Sequence, residues 1–416
     1  MTQRHSLEVN GRQYRMPVRP TVVACVDGLD LRYLKAAFAS GEAPFLDSLD
    51  KQGWCRKAQS AMPSFTNPNN VSIVTGVAPS AHGIAGNYFY DQAAGAEVMM
   101  NDPRFLRVPT ILSALAATGL RIAVVTAKDK LRRLLGAGLP DAASALCVSV
   151  ESPSGEAATY MPAEQPSIYS ASASEAVFST GRNLLERWDA DLLYLSATDY
   201  IQHKHAPGEA EANRFVGMID RYLSAMDAHG ARIVVTADHG MNAMAKPDGS
   251  PNIVFLADML DRAAPDVHAR VVLPITDPYV RHHGALGGFA TVYLRDSRDR
   301  EAAHQVIAAL PGVEVVLGRD EASKVLELPA DRIGDLCVIA GAGFALGTRA
   351  TEHDLSGLDR PLRSHGGIHE QAVPFVTNFE LGADFAGRTL RNFDAFAAAL
   401  RAGDEAVPAS TTSNQR

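Results

Sequence analysis

Between residues 21 and 240, short apolar runs alternate with longer helical segments, and this alternation limits the folds that the chain can adopt. The runs at 21–26, 191–196 and 232–236 are short and rich in branched apolar residues, which is typical of strands buried in a parallel sheet. The segments at 172–188 and 209–228 read as amphipathic helices. The sequence therefore predicts an α/β fold with helix layers on both faces of a mostly parallel sheet.

The alternation loosens near residue 253. Strand-like runs at 290–294, 313–317 and 336–339 then surround a helical run at 301–310, which predicts a small α+β insertion. The 416 residues exceed what one ordinary core usually serves. We expect residues 1–252 and 361–407 to form the main core, residues 253–360 a cap insertion, and residues 408–416 a disordered tail rich in Ser and Thr.

Charge and cysteine usage exclude several classes of protein. A net charge of −8 without a basic run argues against nucleic-acid binding. The sequence contains no apolar segment of membrane-spanning length and no apolar signal core near its polar N-terminus. The four cysteines are scattered without a C-x-x-C spacing, which is typical of reduced thiols. We expect a cytoplasmic protein whose partners are neither nucleic acids nor membranes, with a homodimer as one possible assembly.

The run at 232–236 ends in Asp238, His239 and Gly240. In open α/β sheets, ligands gather beyond the carboxyl ends of the strands, and a carboxylate with a neutral imidazole suits a divalent transition metal. On its own, this stretch also fits a helix N-cap Asp beside an incidental His.

Other predicted strand ends carry similar residues. Asp27 follows the run at 21–26, and His365 lies in a late loop next to two glycines. Asp199 and His203 follow the run at 191–196 with i, i+4 spacing, which puts both side chains on one helical face. Each motif alone is weak, since such a pair is often a surface pair. Six convergent ligands would serve two metal ions, as in enzymes that displace groups at phosphorus.

Thr66 stands at the N-cap position of the helix predicted for residues 67–75. The simple interpretation is a capping threonine, worth about 1 kcal/mol. The functional interpretation is a nucleophile, because a helix N-terminus favours negative charge and a metal would lower the hydroxyl pKa. Asn87 allows two interpretations as well, a donor to a phosphoryl oxygen or a turn residue.

Taken in order, the motifs resemble those of the alkaline phosphatase superfamily, over about residues 19–400. The threonine places the chain nearer to the nucleotide pyrophosphatase/phosphodiesterase branch than to the phosphoserine branch. The resemblance implies an alkaline-phosphatase-like core with a cap insertion. The matching stretches are Val26-Asp27-Gly28, Pro63-Ser64-Phe65-Thr66-Asn67-Pro68-Asn69, Thr198-Asp199-Tyr200-Ile201-Gln202-His203, Thr236-Ala237-Asp238-His239-Gly240 and Ser364-His365-Gly366.

The resemblance further implies two zinc ions per chain and Thr66 as the catalytic nucleophile. It assigns the metal ligands in two sets: Asp199, His203 and His365 for one ion, and Asp27, Thr66, Asp238 and His239 for the other.

Within this branch the chain is most similar to enzymes that hydrolyse the carbon–phosphorus bond of phosphonoacetate, a small anionic phosphonate. The resemblance makes Lys128 and Lys130 the groups that bind the substrate carboxylate, although unaided they would be interpreted as an exposed helix start. Asn87 is the expected phosphoryl donor. Arg281 and His282, in a Gly-rich stretch, are candidates to close over the substrate.

Two alternatives remain open at this point. A phosphodiesterase or nucleotide pyrophosphatase would use the same metals but would need an apolar or aromatic slot for its leaving group. A binding protein without turnover would keep the fold, although every ligand position and the nucleophile are present in the sequence.

Overall fold

The structure is a computed structural model, and it describes residues 6–141, 143–275 and 284–400. The strands in these residues are β1 Ser6–Val9, β2 Arg12–Arg15, β3 Thr21–Cys25, β4 Cys55–Gln59, β5 Tyr88–Asp91, β6 Ala96–Met99, β7 Ile122–Thr126, β8 Ala145–Ser149, β9 Leu192–Ser196, β10 Arg232–Thr236, β11 Asn242–Ala243, β12 Ile253–Phe255, β13 Ala269–Val272, β14 Phe289–Leu294, β15 Val313–Gly318, β16 Leu336–Ala340, β17 Ala345–Gly347, β18 Arg363–Ser364, β19 Ala372–Thr377 and β20 Leu390–Arg391.

The α-helices in the same residues are α1 Leu31–Ala39, α2 Pro44–Lys51, α3 Thr66–Thr75, α4 Pro79–His82, α5 Ile111–Ala116, α6 Asp129–Leu135, α7 Ala171–Arg187, α8 Tyr200–Lys204, α9 Ala210–Ala228, α10 Leu256–Ala263, α11 Arg300–Ala308, α12 Arg319–Val325 and α13 Ala395–Ala399. None of the helices within the described ranges has both the length and the apolar character needed to cross a membrane.

An eight-stranded sheet forms the centre of the molecule, in the order β20-β4-β19-β10-β3-β9-β7-β8. Every residue of β3, β7, β9 and β10 is buried, so both faces of these strands must be covered. Helices α1, α2, α7 and α9 pack together in one group, and α3 packs with α5, α6 and α13 in another. The predicted α/β fold with a mostly parallel sheet is confirmed.

Four adjacent parallel strands end at the same level of this sheet. Cys25 of β3 is in register with Thr236 of β10 and with Ser196 of β9, and Ser196 is in register with Thr126 of β7. The residues that follow these strands therefore emerge side by side at one edge of the sheet.

Strand β19 is the one antiparallel member of this sheet. Because it runs in the opposite direction, the loop that enters it reaches the same edge that the parallel strands leave. His365 lies in this loop, ahead of β19 rather than after it.

The segment between β12 and β17 forms a separate sheet in the order β13-β14-β16-β15. Its apolar side shares a cluster with Met62, Phe65 and Val71 of the central part, so it packs beside the loop that begins α3. The hairpins β1-β2 and β5-β6 were not predicted from the sequence. Arg281, His282 and the tail at 408–416 lie outside the described residues.

Candidate metal centre and substrate cavity

Five of the predicted ligands meet at the carboxyl edge of the central sheet. Their ligand atoms form two groups, Asp199 with His203 and His365, and Asp27 with Asp199 and His239, and within each group the atoms lie within 4.8 Å of one another. All five side chains are buried. Asp199 belongs to both groups, so the two clusters form one continuous centre.

Short contacts connect the members of this centre. His203 Nε2 lies 2.8 Å from Asp199 Oδ2, and His239 Nε2 lies 3.1 Å from Asp27 Oδ1. The rings of His239 and His365 stack in parallel with centroids 3.5 Å apart. Asp238 is fully buried beside them, with its Oδ2 3.9 Å from His239 Nε2.

Two glycines allow the backbone to approach this closely. Gly28 has a φ of +72°, and a Cβ added there would lie 3.1 Å from the Asp199 Cβ. Gly366 has a φ of +121°, and a Cβ there would lie 2.3 Å from the Phe65 ring. A side chain at either position would strain the backbone and push the ligand loops apart.

The three histidines present the same ring nitrogen to the centre. Each Nδ1 faces a backbone carbonyl, of Arg363 for His203, of Gly240 for His239 and of Ser64 for His365, at 2.8, 2.9 and 2.8 Å. A carbonyl only accepts, so each Nδ1 carries a proton, and in the neutral imidazole each Nε2 then has a lone pair for a cation. Backbone carbonyls orient metal-binding histidines in this way.

Some polar atoms at the centre lack a hydrogen-bond partner in the part of the chain that the structure describes. Both carboxylate oxygens of Asp27 and the Nε2 of His239 are buried without a hydrogen-bond partner among the described residues. Burial and the nearby Asp27 raise the pKa of Asp238 well above its usual value. Buried carboxylates and imidazoles that lack partners fit a bound divalent cation.

The Asp199 carboxylate differs from Asp238 in its charge environment. Burial would raise its pKa, but the Lys128 ammonium and His203 outweigh burial and hold the pKa well below the usual value. Lys128 Nζ lies 3.5 Å from Asp199 Oδ1 and 3.8 Å from Asp27 Oδ2. This lysine therefore reaches the ligand carboxylates as well as the cavity described below.

The N-cap prediction for Thr66 is wrong. Helix α3 begins at Thr66 itself, Phe65 is the N-cap residue, and no side chain of the N-cap bonds to the helix. The first turn is capped from elsewhere, because Asn87 Oδ1 accepts a hydrogen bond from the Asn67 N–H at 2.9 Å. Asn87 is thus more than a turn residue, and its NH₂ group is the end of the amide that can still donate.

A cavity of about 300 Å³ opens next to Thr66. It brings Thr66, Asn87, Lys128 and Lys130 to one space, with Asp199 in its wall. The other lining residues are Asn67, Met99, Leu131, Glu151, Ile168, Tyr169, Thr198 and Tyr200.

Two further residues near the centre were not assigned to the site from the sequence. His205 forms a partly exposed group with Glu209 and Glu211, in which Arg360 also bonds to Glu209, so it is a surface ion-pair network. Asn70 donates to Asp238 Oδ2 at 3.1 Å. Its position four residues after Thr66 in a helix was the available signal.

A mostly parallel sheet with a buried Asp/His centre at its carboxyl edge, and a threonine at a helix start beside it, defines a metal-dependent hydrolase with the alkaline-phosphatase-like fold. The chain belongs to the family described as type I phosphodiesterase / nucleotide pyrophosphatase, whose profile matches residues 21–368.

Solved structures agree with this assignment. Phosphonoacetate hydrolase from Sinorhizobium meliloti 1021, in complex with phosphonoacetate or with phosphonoformate, is 50% identical, with a TM-score of 0.91 over 96% of this chain and 99% of that chain. Murine ectonucleotide pyrophosphatase/phosphodiesterase 5 in complex with AMP is 15% identical, with a TM-score of 0.62 over 91% and 93%, and shares the fold.

A curated human relative matches over a shorter stretch. Ectonucleotide pyrophosphatase/phosphodiesterase family member 1 is 36% identical over 78 residues, which are 18% of this chain and 8% of that protein. The matched stretch is therefore a small part of this relative's length.

Proposed function

We propose that this chain hydrolyses the carbon–phosphorus bond of phosphonoacetate to give acetate and phosphate. The observation that carries the proposal is the cavity in which Thr66, Asn87, Lys128 and Lys130 meet beside Asp199. The S. meliloti enzyme with phosphonoacetate bound supports the choice of substrate, since it is 50% identical over 96% of this chain.

We further propose two zinc ions as cofactors. When bound, they would offset the charge of the phosphoryl group and favour the ionised form of a hydroxyl. His203, His239 and His365 support zinc, because Nε2 lone pairs on neutral imidazoles suit zinc better than magnesium. The residues that would hold the two ions are Asp199, His203 and His365 for one, and Asp27, Asp238, His239 and the hydroxyl of Thr66 for the other.

In this mechanism the Thr66 hydroxyl releases its proton to solvent and its oxygen attacks phosphorus. The new O–P bond forms as the C–P bond breaks, and the electron pair of that bond passes to carbon, where it spreads into the carboxylate as an enolate. Lys128 and Lys130 would stabilise this charge, and the NH₂ group of Asn87 would bind a phosphoryl oxygen. A proton from water completes acetate, and a second water releases phosphate from Thr66.

Phosphate release from phosphonoacetate, measured with zinc supplied, tests the activity. Thr66→Ala should abolish turnover because the attacking oxygen is gone, while Thr66→Ser should keep part of it. Wild-type chain that releases no phosphate would overturn the proposal. Near-normal kcat in Thr66→Ala would instead favour direct attack by water.

One observation favours a second candidate, a phosphodiesterase. The cavity has an apolar and partly aromatic side that includes Met99, Ile168 and Tyr169, which could contact a nucleoside or an aryl leaving group. A comparison of kcat/KM for phosphonoacetate and for a nitrophenyl diester separates the two, with the lysines favouring the phosphonate.

We also propose that residues 253–360 act as a cap over the site and that the protein is cytoplasmic. Contact between the two parts supports the cap, since Gly288 N–H donates to His365 O at 2.8 Å. All four cysteines are unpaired, which supports a reducing compartment.

A further inference from the structure

One buried amide connects the proposed nucleophile with a proposed metal ligand. Asn70 lies in α3 one turn after Thr66 and is fully buried. Its Nδ2 donates to the Thr66 backbone carbonyl at 3.1 Å and to Asp238 Oδ2 at 3.1 Å. A single NH₂ group therefore bridges the start of α3 and the end of β10.

The orientation of this amide follows from its partners. The Thr66 backbone carbonyl only accepts hydrogen bonds, so the NH₂ end must face it and, on the same side, Asp238 Oδ2. Asn70 Oδ1 accepts from the Tyr194 hydroxyl at 2.8 Å and from the Ser196 hydroxyl at 2.9 Å. Two hydroxyls of β9 thus hold the amide in the orientation that serves Asp238.

Asn70 also completes the support of the Asp238 carboxylate. Asp238 Oδ1 accepts from the backbone N–H groups of Gly28 at 3.2 Å and His239 at 3.1 Å. The backbone thus fixes one carboxylate oxygen and Asn70 fixes the other. With both oxygens held, the direction of the remaining lone pairs is set before any cation binds.

We infer that Asn70 is a positioning residue that holds Asp238 in register with the turn carrying Thr66. The inference rests on the proposed function, because it concerns the metal ligand and nucleophile assigned there. Loss of such a supporting group typically weakens metal affinity or activity by about 10- to 100-fold.

The chain contains a matched control at the other end of β10. Asn378 Oδ1 accepts from the Ile233 N–H at 2.8 Å, and its Nδ2 donates to Asp227 Oδ1 at 2.7 Å and Ala231 O at 2.8 Å. This amide also connects a backbone segment with an aspartate, but at the opposite edge of the sheet. Asn378→Ala therefore removes a similar set of bonds without touching the site.

The experiment measures zinc affinity of the full chain by competition with a chromogenic chelator, for wild type, Asn70→Asp, Asn70→Ala and Asn378→Ala. Asn70→Asp keeps the size of the side chain and removes the donor that faces Asp238. Both Asn70 variants should bind zinc about 10- to 100-fold more weakly, and Asn378→Ala should match wild type even if it unfolds earlier. Folded Asn70 variants with wild-type zinc affinity would overturn the inference, as would wild type that binds no zinc.

A double variant covers the case in which Asn70 variants do not fold. Tyr194→Phe with Ser196→Ala keeps Asn70 but removes the two hydroxyls that orient its amide, and should weaken zinc binding to a smaller extent. Unchanged affinity would count against the inference.

At saturating zinc, the Asn70 variants should lower kcat for phosphonoacetate more than they change KM. If wild type binds zinc more tightly than the Asn70 variants but releases no phosphate, the proposed function fails and the positioning role stands. If wild type is active and the variants bind zinc normally, the reverse holds.

Discussion

Among the residues that the structure describes, buried histidines occupy two regions with different surroundings. At the carboxyl edge of the sheet, His203, His239 and His365 each use Nδ1 on a backbone carbonyl and turn Nε2 towards carboxylates. Behind α3, the equally buried His82 uses both ring nitrogens within the protein. Its Nδ1 accepts from the Ile84 N–H at 3.1 Å, and its Nε2 lies 2.9 Å from the Ser72 hydroxyl.

Burial therefore does not distinguish the histidines that we propose as metal ligands from a structural histidine. What distinguishes them is whether the protein satisfies both ring nitrogens or leaves one facing a group of acids. Variants of His365, of His82 and of the cavity lysines test this distinction.

Replacement of His365 should mainly reduce activity, whereas replacement of His82 should mainly reduce stability. His365→Ala should lower kcat/KM for phosphonoacetate by roughly 1,000-fold, because metal charge stabilisation is worth several kcal/mol and about 1.4 kcal/mol is tenfold in rate. The zinc-free chain should unfold much as wild type does. His82→Asn should keep most of the turnover and lower the stability. If His82→Asn lost turnover as completely as His365→Ala, the two regions would not be functionally distinct.

The two lysines of the cavity differ in a similar way. Both lysines line the cavity, and Lys128 also contacts the carboxylates of Asp199 and Asp27. Lys130→Ala should lower kcat/KM for phosphonoacetate by about 10- to 100-fold, the value of one hydrogen bond to a charged group, and spare a nitrophenyl phosphate ester, which has no carboxylate. Lys128→Ala should lower activity on both substrates. If each variant lost as much activity on the ester as on phosphonoacetate, neither lysine would be needed to recognise the substrate carboxylate.

The sequence predicted the residues of the centre better than their arrangement. Asp27, Asp199 and Asp238 were found because each follows a recognisable buried strand, and strands in register bring their ends together. The antiparallel direction of β19 has no local sequence signal, because it depends on pairing with distant strands. The sequence therefore could not explain why His365, which precedes β19, reaches the same edge of the sheet as residues that follow the parallel strands. The same holds for Asn87, whose side chain caps a helix that starts 21 residues earlier, and for the contact of Lys128 with Asp199.

The stabilisation of the protein by zinc should depend on His365 and not on His82. At free zinc about 100-fold above its dissociation constant, binding adds about 2.7 kcal/mol to the free energy of unfolding. Wild type and His82→Asn should therefore show the same rise in melting temperature when zinc replaces chelator, and His365→Ala should show a smaller one. An equal rise in all three proteins would mean that zinc binds elsewhere.

The smallest effect concerns the pH dependence of stability that comes from His82, which the His82→Asn variant isolates. Burial lowers the pKa of His82 from 6.5 to about 3, so below pH 6.5 the unfolded chain takes up a proton that the folded chain does not. The stability that depends on a neutral His82 is complete above pH 6.5 and is lost as the pH falls towards 3. Each pH unit below 6.5 lowers the free energy of unfolding by about 1.4 kcal/mol, so the loss at pH 5 is about 2 kcal/mol.

Urea unfolding at pH 7.5 and pH 5 measures this loss in the zinc-free wild type and in zinc-free His82→Asn. Wild type should lose about 2 kcal/mol more than His82→Asn between the two pH values. His82→Asn keeps an oxygen that can accept from the Ile84 N–H and cannot be protonated in this range. Equal losses in the two proteins would show that protonated His82 finds a partner inside the fold, and the contrast with the proposed metal ligands would then rest on geometry alone.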